Sequence, residues 1–323
     1  GISELRQCIA DFYKSQDIAI PVGRILVTSG ASGGLVLLAS LLLDAGDELL
    51  ITDPGYPCNE VFAKLVGGLP KKVPVSAENR FQPTLADIQS AWGEKTKGVL
   101  LASPANPTGT MLDADELIAI QGFVAAQGGF FILDEIYQNL TRDHVTYTSG
   151  LSLCPDIFVL NSFSKYFGMT GWRLGWVVVP DAAVEALTKL AQNLFISPST
   201  PAQYAAVAAF ADDAMSIHSQ RKETFETRAK ILYEGLVALG FSIPVIPDGA
   251  FYLYVDISHT NMDSADFCWR LIEEYQVAVT PGYDFGDSDA GRYVRFAYTT
   301  SEEAILLGLE RIDQALQDWG LKV

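Results

Sequence analysis

Residues 161–176 read NSFSKYFGMTGWRLGW, which sets one lysine, Lys165, beside the hydroxyls of Ser162 and Ser164, with one cation, Arg173, following. The apolar run before it, DIFVL (156–160), reads as a buried strand. A lysine at the end of a buried strand and near an arginine gains a purpose when its amine must be neutral. Desolvation and a neighbouring positive charge both lower a lysine pKa, and a neutral amine attacks carbonyls and forms Schiff bases. Arg173 and the serines offer what a bound phosphate needs, a planar charged fork and short donors. Taken alone, S-x-S-K fits a solvated lysine in a polar loop equally well, so the company it keeps decides.

Further clusters carry complementary chemistry. SGAS (29–32), placed before a helix, offers a phosphate backbone N–H groups together with a helix dipole. Gly30 and Gly33, with Asp53 ending the next strand, also fit a degraded dinucleotide fingerprint. That nicotinamide reading leaves Lys165 and Arg173 unexplained. Asp134 ends the apolar run FFIL (130–133), where a bare carboxylate is costly without a cationic partner. A pyridinium N–H is one such partner, and a Schiff-base lysine with an acid on the ring nitrogen is a known cofactor arrangement. A plain helix cap is the other reading of Asp134. Tyr137 would point its phenol at the same ligand. Asn106, between Pro104 and Pro107, either donates its amide or merely forms the NPTG turn, and Tyr56 either stacks on a flat ring or is a rim aromatic.

The elements that must position these groups follow from the apolar pattern. GISELRQCIADFYKSQ (1–16) puts Ile2, Leu5, Ile9, Phe12 and Tyr13 on one helical face. RILVT (24–28), ELLIT (48–52), GVLLA (98–102), FFIL, DIFVL and GWVVV (175–179) read as short buried strands. SGASGG launches a helix that is apolar all round and hence buried, while Asp113, with Glu116, caps a helix that Gly128 and Gly129 stop. Such alternation predicts an α/β fold, a mostly parallel central sheet covered by helices, with its ligand at the strands' carboxyl ends. From Thr200 a helical pattern runs toward Gly240, and FYLYVDI (251–257), VAVT (277–280) and RYVRFAY (292–298) then read as shorter strands. The expected division is a large domain, 1–213, and a smaller C-terminal α+β domain, 214–323.

The 323 residues are 49% hydrophobic, enough for a sizeable core, and carry a net charge of −17. That acidity argues against nucleic acid and anionic lipid as partners. No apolar run reaches the roughly 18–20 residues of a membrane span. Cys8, Cys58, Cys154 and Cys268 lack paired spacing and the histidines form no ligand cluster, so neither disulfides nor zinc are expected. With no signal peptide at the start, a cytoplasmic location is expected.

N-P-T-G (106–109), D-E-x-Y (134–137) and S-x-S-K (162–165), in that order and with Arg173 after the lysine, make the chain resemble the pyridoxal-phosphate enzymes of fold type I. Among them it is similar to the class I/II aminotransferase family, from the opening G-x-x-x-L-R (Gly1, Leu5, Arg6) to Tyr-Val-Arg (293–295). The resemblance implies that Lys165 forms the Schiff base with pyridoxal 5′-phosphate. It further implies that Gly30, Ala31, Ser32, Ser162, Ser164 and Arg173 hold the phosphate, and that Tyr56 stacks on the ring. Asp134 then pairs with the ring nitrogen, Asn106 and Tyr137 contact the 3′-oxygen, and Arg295 grips the substrate α-carboxylate. The implied activity moves an amino group from an amino acid to a 2-oxo acid by a ping-pong mechanism, with freed Lys165 as the base.

The resemblance also implies a homodimer with shared active sites, in which SPST (197–200), through Ser199 and Thr200, reaches the partner's phosphate. Relatives place a phosphate-touching tyrosine and a segment that closes over substrate before the position of Gly1, so a longer chain is expected. TKLAQNLFISPST (188–200) contains no arginine, and Ser32 stands where some relatives use a lysine, so two anchors for dicarboxylates are missing. Neutral or aromatic amino donors are therefore favoured. A lyase or synthase using the same cofactor, and a non-catalytic effector domain of a transcription regulator, stand as alternatives.

Overall fold

Strands buried on both faces are apolar at successive positions, and such runs form the middle of the main sheet. The structure is a computed structural model that describes residues 1–321 apart from His144 and Tyr147. Its first part contains α1 (Ser3–Lys14), β1 (Ile25–Thr28), α2 (Gly30–Leu42), β2 (Glu48–Asp53), α3 (Cys58–Leu65), β3 (Leu69–Pro74) and α4 (Leu85–Ala91). β4 (Thr96–Ala102), α5 (Ala114–Ala126), β5 (Phe130–Asp134), α6 (Gly150–Leu153), β6 (Phe158–Ser162), β7 (Gly175–Val178), α7 (Asp181–Leu194) and α8 (Thr200–Ala208) follow. The second part contains α9 (Asp212–Ala238), β8 (Tyr252–Asp256), α10 (Ser264–Tyr275), β9 (Thr280–Pro281), β10 (Tyr293–Ala297) and α11 (Glu302–Asp318).

Seven strands make the main sheet in the order β1-β7-β6-β5-β4-β2-β3. All pairings are parallel except those of β7, which runs against both β1 and β6. Alternate residues of each strand serve opposite faces. Leu100, Ile132, Leu160 and Val177 pack with Leu35 and Leu38 of α2 and Leu187 of α7. Val99, Leu101, Leu133 and Val159 pack on the other side with Leu5 and Ile9 of α1 and Leu117 and Ile120 of α5. The predicted α/β architecture is what the chain adopts.

The smaller sheet is antiparallel, in the order β8-β10-β9. Leu253, Val255, Val294 and Phe296 face a separate core with Leu236, Phe267 and Ile312. The boundary expected at 213/214 falls inside α9.

Several local expectations differ from the structure. LPKKVP (69–74) carries no strand pattern in the sequence, yet it pairs along the full length of β2. Its two prolines and two lysines suit an edge strand, where Pro costs no ladder bond and lysine meets solvent. Of VAVT only Thr280 is in a strand, because Val277 and Val279 pack against the second core in extended chain instead. Asp113 does cap α5, but Glu116 does not complete a box with it. Its carboxylate accepts instead from the Leu85 N–H at 2.8 Å. All four cysteines are free, and among the described residues there is no group of side chains suited to a metal. Among those residues no helix is long and apolar enough to cross a membrane.

Candidate active site

The carboxyl ends of β1, β4, β5 and β6 lie on one edge of the sheet, because these strands point the same way. β7 points the other way, so its amino end lies on that same edge. Thr28, Gly175 and Ser162 are cross-strand neighbours there. Arg173, just before β7, is thereby returned to the edge that Lys165 has just left. Glycine at 175 permits this closeness: a Cβ would stand 2.9 Å from the Ala31 nitrogen and 2.8 Å from the Asn161 carbonyl oxygen.

Arg173 lies over the start of α2. A Cβ at Gly30 would come 2.8 Å from its Nη2, and Gly30 has φ +74°, so both space and backbone call for glycine. Arg173 itself is held in the left-handed region, φ 51°, and donates through Nη1 to the Thr170 carbonyl at 3.0 Å. Thr170 Oγ1 in turn donates to the Ser164 carbonyl at 2.8 Å, and the Ser164 N–H donates to Ser162 Oγ at 3.1 Å. The Lys165 turn and the arginine are thus tied into one frame.

A cavity of about 280 Å³ opens on this frame. Ala31, Ser32, Tyr56, Asn106, Asp134, Tyr137, Ser162, Ser164, Lys165, Arg173 and Arg295 line it. Gly30 lies beneath, against Arg173. The structure therefore brings together the residues named for the cofactor and the α-carboxylate, Gly30 through its closeness to Arg173 rather than as part of the lining. Ser199 and Thr200 are elsewhere, at the start of α8.

Burial lowers the Lys165 pKa, Arg295 and Arg173 push it further down, and Asp134 opposes them. Its Nζ lies 5.3 Å from the Tyr137 ring centre and 5.4 Å from that of Phe251. Asp134 is buried at the end of β5, and desolvation raises its pKa to about 7 against the Ile136 N–H and Lys165. That N–H donates to Oδ1 at 3.0 Å. A carboxylate so placed favours a cation brought to it in the cavity.

Across the cavity, Arg295 of β10 donates through Nη1 to Asn106 Oδ1 at 2.7 Å and through Nη2 to Thr280 Oγ1 at 3.3 Å. Its guanidinium carbon stands 4.2 Å from the Tyr252 ring centre and 4.7 Å from that of Phe285. The hydroxyls of Tyr137 and Tyr252 lie 2.8 Å apart.

Sequence reasoning passed over Tyr252, Thr170, Leu35 and Ile136, all of which line the cavity. No motif marks them. Tyr252 sits in a run whose residues from 252 to 256 are all buried, so alternation singles out no face.

Comparison with known proteins agrees with this geometry. The family model described as "Aminotransferase class I and II" matches residues 1–312. A valine–pyruvate aminotransferase from Mycobacterium tuberculosis is 36% identical over 314 residues, covering 97% of this chain and 81% of the relative. An aspartate aminotransferase from Pyrococcus abyssi is 34% identical over 326 residues, covering 98% and 83%. The crystal structure of an aminotransferase from Mycobacterium tuberculosis superposes with a TM-score of 0.94 at 36% identity, covering 98% of this chain and 82% of that one. Its fold is type I, and neither the lyase nor the regulator reading gains support from these matches. With a family match across nearly its whole length, the chain belongs to the class I and II aminotransferases.

Proposed function

We propose that this aminotransferase binds pyridoxal 5′-phosphate in the cavity and passes an amino group from a neutral-side-chain amino acid to a 2-oxo acid. The observation that carries the reading is the pairing of a half-buried, pKa-lowered Lys165 and a buried Asp134 with two separate guanidinium groups, Arg173 and Arg295, around one cavity. The cradle that only glycine at 30 leaves open in front of Arg173 fits a phosphate, and the cavity face of Asp134 fits a protonated ring nitrogen. Bound there, the cofactor supplies a carbonyl for the lysine nitrogen and a sink for the α-carbon's electrons.

Each residue then has one task. Arg173, the N–H groups of Gly30, Ala31 and Ser32, and the hydroxyls of Ser162 and Ser164 hold the phosphate. Asp134, ionised, keeps the ring nitrogen protonated. Tyr56 covers the ring. Tyr137 and the Asn106 amide, whose Oδ1 is already engaged by Arg295, donate to the ring oxygen and so draw protons off the Lys165 nitrogen. Arg295 binds the substrate α-carboxylate. Released by the incoming amine, Lys165 carries the α-proton to its new carbon. The first product leaves, the 2-oxo acid enters, and the same residues act in reverse, which makes the kinetics ping-pong.

The side-chain preference rests on charge. Lys165, Arg173 and Arg295 are the cations among the described residues lining the cavity, and each already has a task. A second carboxylate would be left without a partner. The relatives are named for both valine and aspartate, so their names do not choose.

The division into domains 1–213 and 214–323, a cytoplasmic location and a homodimer with shared sites belong to the same proposal. Leu194, Ile196 and Tyr204 stand exposed in and beside segment 188–200, which supports an apolar contact there.

The test is borohydride reduction of the cofactor-loaded protein, followed by peptide mass spectrometry and a panel of single-turnover reactions with amino acids. A pyridoxyl mass on Lys165 and faster turnover of neutral than of dicarboxylic donors are expected. A label on another lysine, or none, overturns the cofactor reading, and preference for aspartate or glutamate overturns the donor class.

A further inference from the structure

We propose that Tyr252 is a positioning residue that serves both halves of the site, orienting the Tyr137 hydroxyl from one edge of its ring and supporting Arg295 with the ring face. Tyr252 comes from β8 in the smaller sheet, whereas Tyr137 follows β5 in the main one. Their hydroxyls meet at 2.8 Å, and their rings cross edge to face at 81°, centroids 5.8 Å apart. Both are buried, at 5% and 2% exposure, so neither hydroxyl exchanges freely with bulk water.

A phenol has one proton and can donate once. If Tyr137 donates into the cavity, its oxygen must accept from Tyr252, and the chain of donors runs Tyr252 to Tyr137 to ligand. A donor that itself accepts a hydrogen bond is polarised and becomes a stronger donor. Were the order reversed, the Tyr137 proton would point at Tyr252 and be lost to the cavity. The second contact is independent of the first. The Arg295 guanidinium lies 4.2 Å from the Tyr252 ring centre and 4.7 Å from that of Phe285, so two aromatic faces support the cation. Asn106 and Thr280 fix its edge. One side chain thus sets both the strength of the ring-oxygen donor and the plane of the carboxylate fork.

This inference rests on the proposed role of Tyr137 as donor to the ring oxygen, and two variants separate its parts. Tyr252→Phe removes the hydroxyl and keeps the ring, whereas Tyr252→Leu removes both. The readout is the pH at which the bound cofactor's visible absorption changes, taken without substrate, alongside KM for the amino acid. Loss of a donor to the ring oxygen raises the pKa of the Lys165 nitrogen. Tyr252→Phe keeps the Tyr137 donor and removes only its polarisation, so it should move the inflection upward by a resolvable fraction of the Tyr137→Phe shift and leave KM within about twofold. Tyr252→Leu should show the same shift and raise KM by about tenfold or more, through the lost guanidinium support.

Tyr137→Phe is the reference. If it shifts the inflection and Tyr252→Phe leaves the inflection where it is in the parent, the Tyr252 inference fails while the Tyr137 role stands. If Tyr137→Phe leaves the inflection in place, the Tyr137 role itself fails. The double variant should titrate like Tyr137→Phe alone, because the two hydroxyls act in series. Additive shifts would overturn the series arrangement. An unchanged KM in Tyr252→Leu would overturn the support of Arg295.

Discussion

Arg295 and Asn106 join the two sheets of the molecule through a 2.7 Å hydrogen bond, guanidinium Nη1 to amide Oδ1. Arg295 stands in the middle of β10, while Asn106 sits just beyond β4, in a loop whose Ser103–Pro104 and Asn106–Pro107 bonds are both cis. On the proposed roles, a carboxylate bound by Arg295 would lie next to the amide that donates to the ring oxygen, and recognition and chemistry would share this junction.

Arg295→Lys tests the junction. Lysine keeps the charge but loses the planar fork and its hydrogen bond to Asn106. KM for the amino donor should rise by about 30- to 100-fold, roughly 2–3 kcal/mol, with a smaller fall in kcat. Single-turnover kinetics across donor concentration measure both. A KM within about threefold of the parent would mean that Arg295 does not bind the α-carboxylate.

Lys165→Ala should abolish turnover and reductive trapping of the cofactor while leaving the fold intact, since among the described residues Lys165 makes no salt bridge and its amine stands 5.3 and 5.4 Å from the Tyr137 and Phe251 ring centres. Circular dichroism and melting should match the parent. Transamination at the parent rate would remove the lysine from its role.

Asp134→Asn has opposite consequences with and without cofactor. In the cofactor-free protein burial lifts the Asp134 pKa to about 7. The folded state then holds this proton more tightly than the unfolded state, whose carboxyl titrates near ~4. Its stabilising effect is complete below about pH 4 and is lost as pH rises through about 7, at up to about 1.4 kcal/mol per unit. The cofactor-free Asn variant should therefore melt increasingly above the parent as pH goes from 5 to 8. With cofactor, the same variant should lose several orders of magnitude in rate, because an amide cannot hold the ring nitrogen protonated. The structure has no helix directly after Asp134, only a turn whose Ile136 N–H it accepts, so the helix-cap alternative becomes a turn cap. A melting difference that does not change with pH, or a rate loss under about tenfold, would reduce Asp134 to that turn cap.

Gly30→Ala should weaken cofactor affinity by about tenfold or more and cost roughly 1–2 kcal/mol of stability. The added methyl meets Arg173 Nη2 at 2.8 Å, and alanine resists φ +74°. Titration of the cofactor-free variant with pyridoxal 5′-phosphate reads the first effect and denaturant melts the second. Parent-like affinity would place the phosphate elsewhere.

Dilution tests the shared site. If Ser199 and Thr200 of one copy reach the phosphate of another, sedimentation across a concentration series should show dimer loss, cofactor release and activity loss together. A fully active monomer would show the site to be complete in one chain.

The site was readable where chemistry and spacing coincide at strand ends. Lys165, Asp134, Asn106 and Tyr137 each follow an apolar run, so identity and position reinforce one another. The main strands were readable because burial on both faces leaves them apolar throughout. β3 was not, since an edge strand needs little apolar content and only Val73 of its six residues is buried. The direction of β7 was also hidden, because periodicity records which face a residue takes and not which way the chain runs. Tyr252 escaped for a related reason: its partners come from Tyr137 and Arg295, far away in sequence.

The reversed course of β7 divides the site by distance along the chain. Lys165 and Arg173 belong to one antiparallel pair, β6 and β7, whose connecting residues 163–174 are closed by the Phe163–Leu174 backbone bond. The loop that joins these two groups is therefore short, and its entropic cost is small. Arg295 and Tyr252 come from the smaller sheet, far along the chain. On the proposed roles, the grip on the cofactor's charged end would need only local closure, whereas the grip on the amino acid would need long-range contacts between the two sheets.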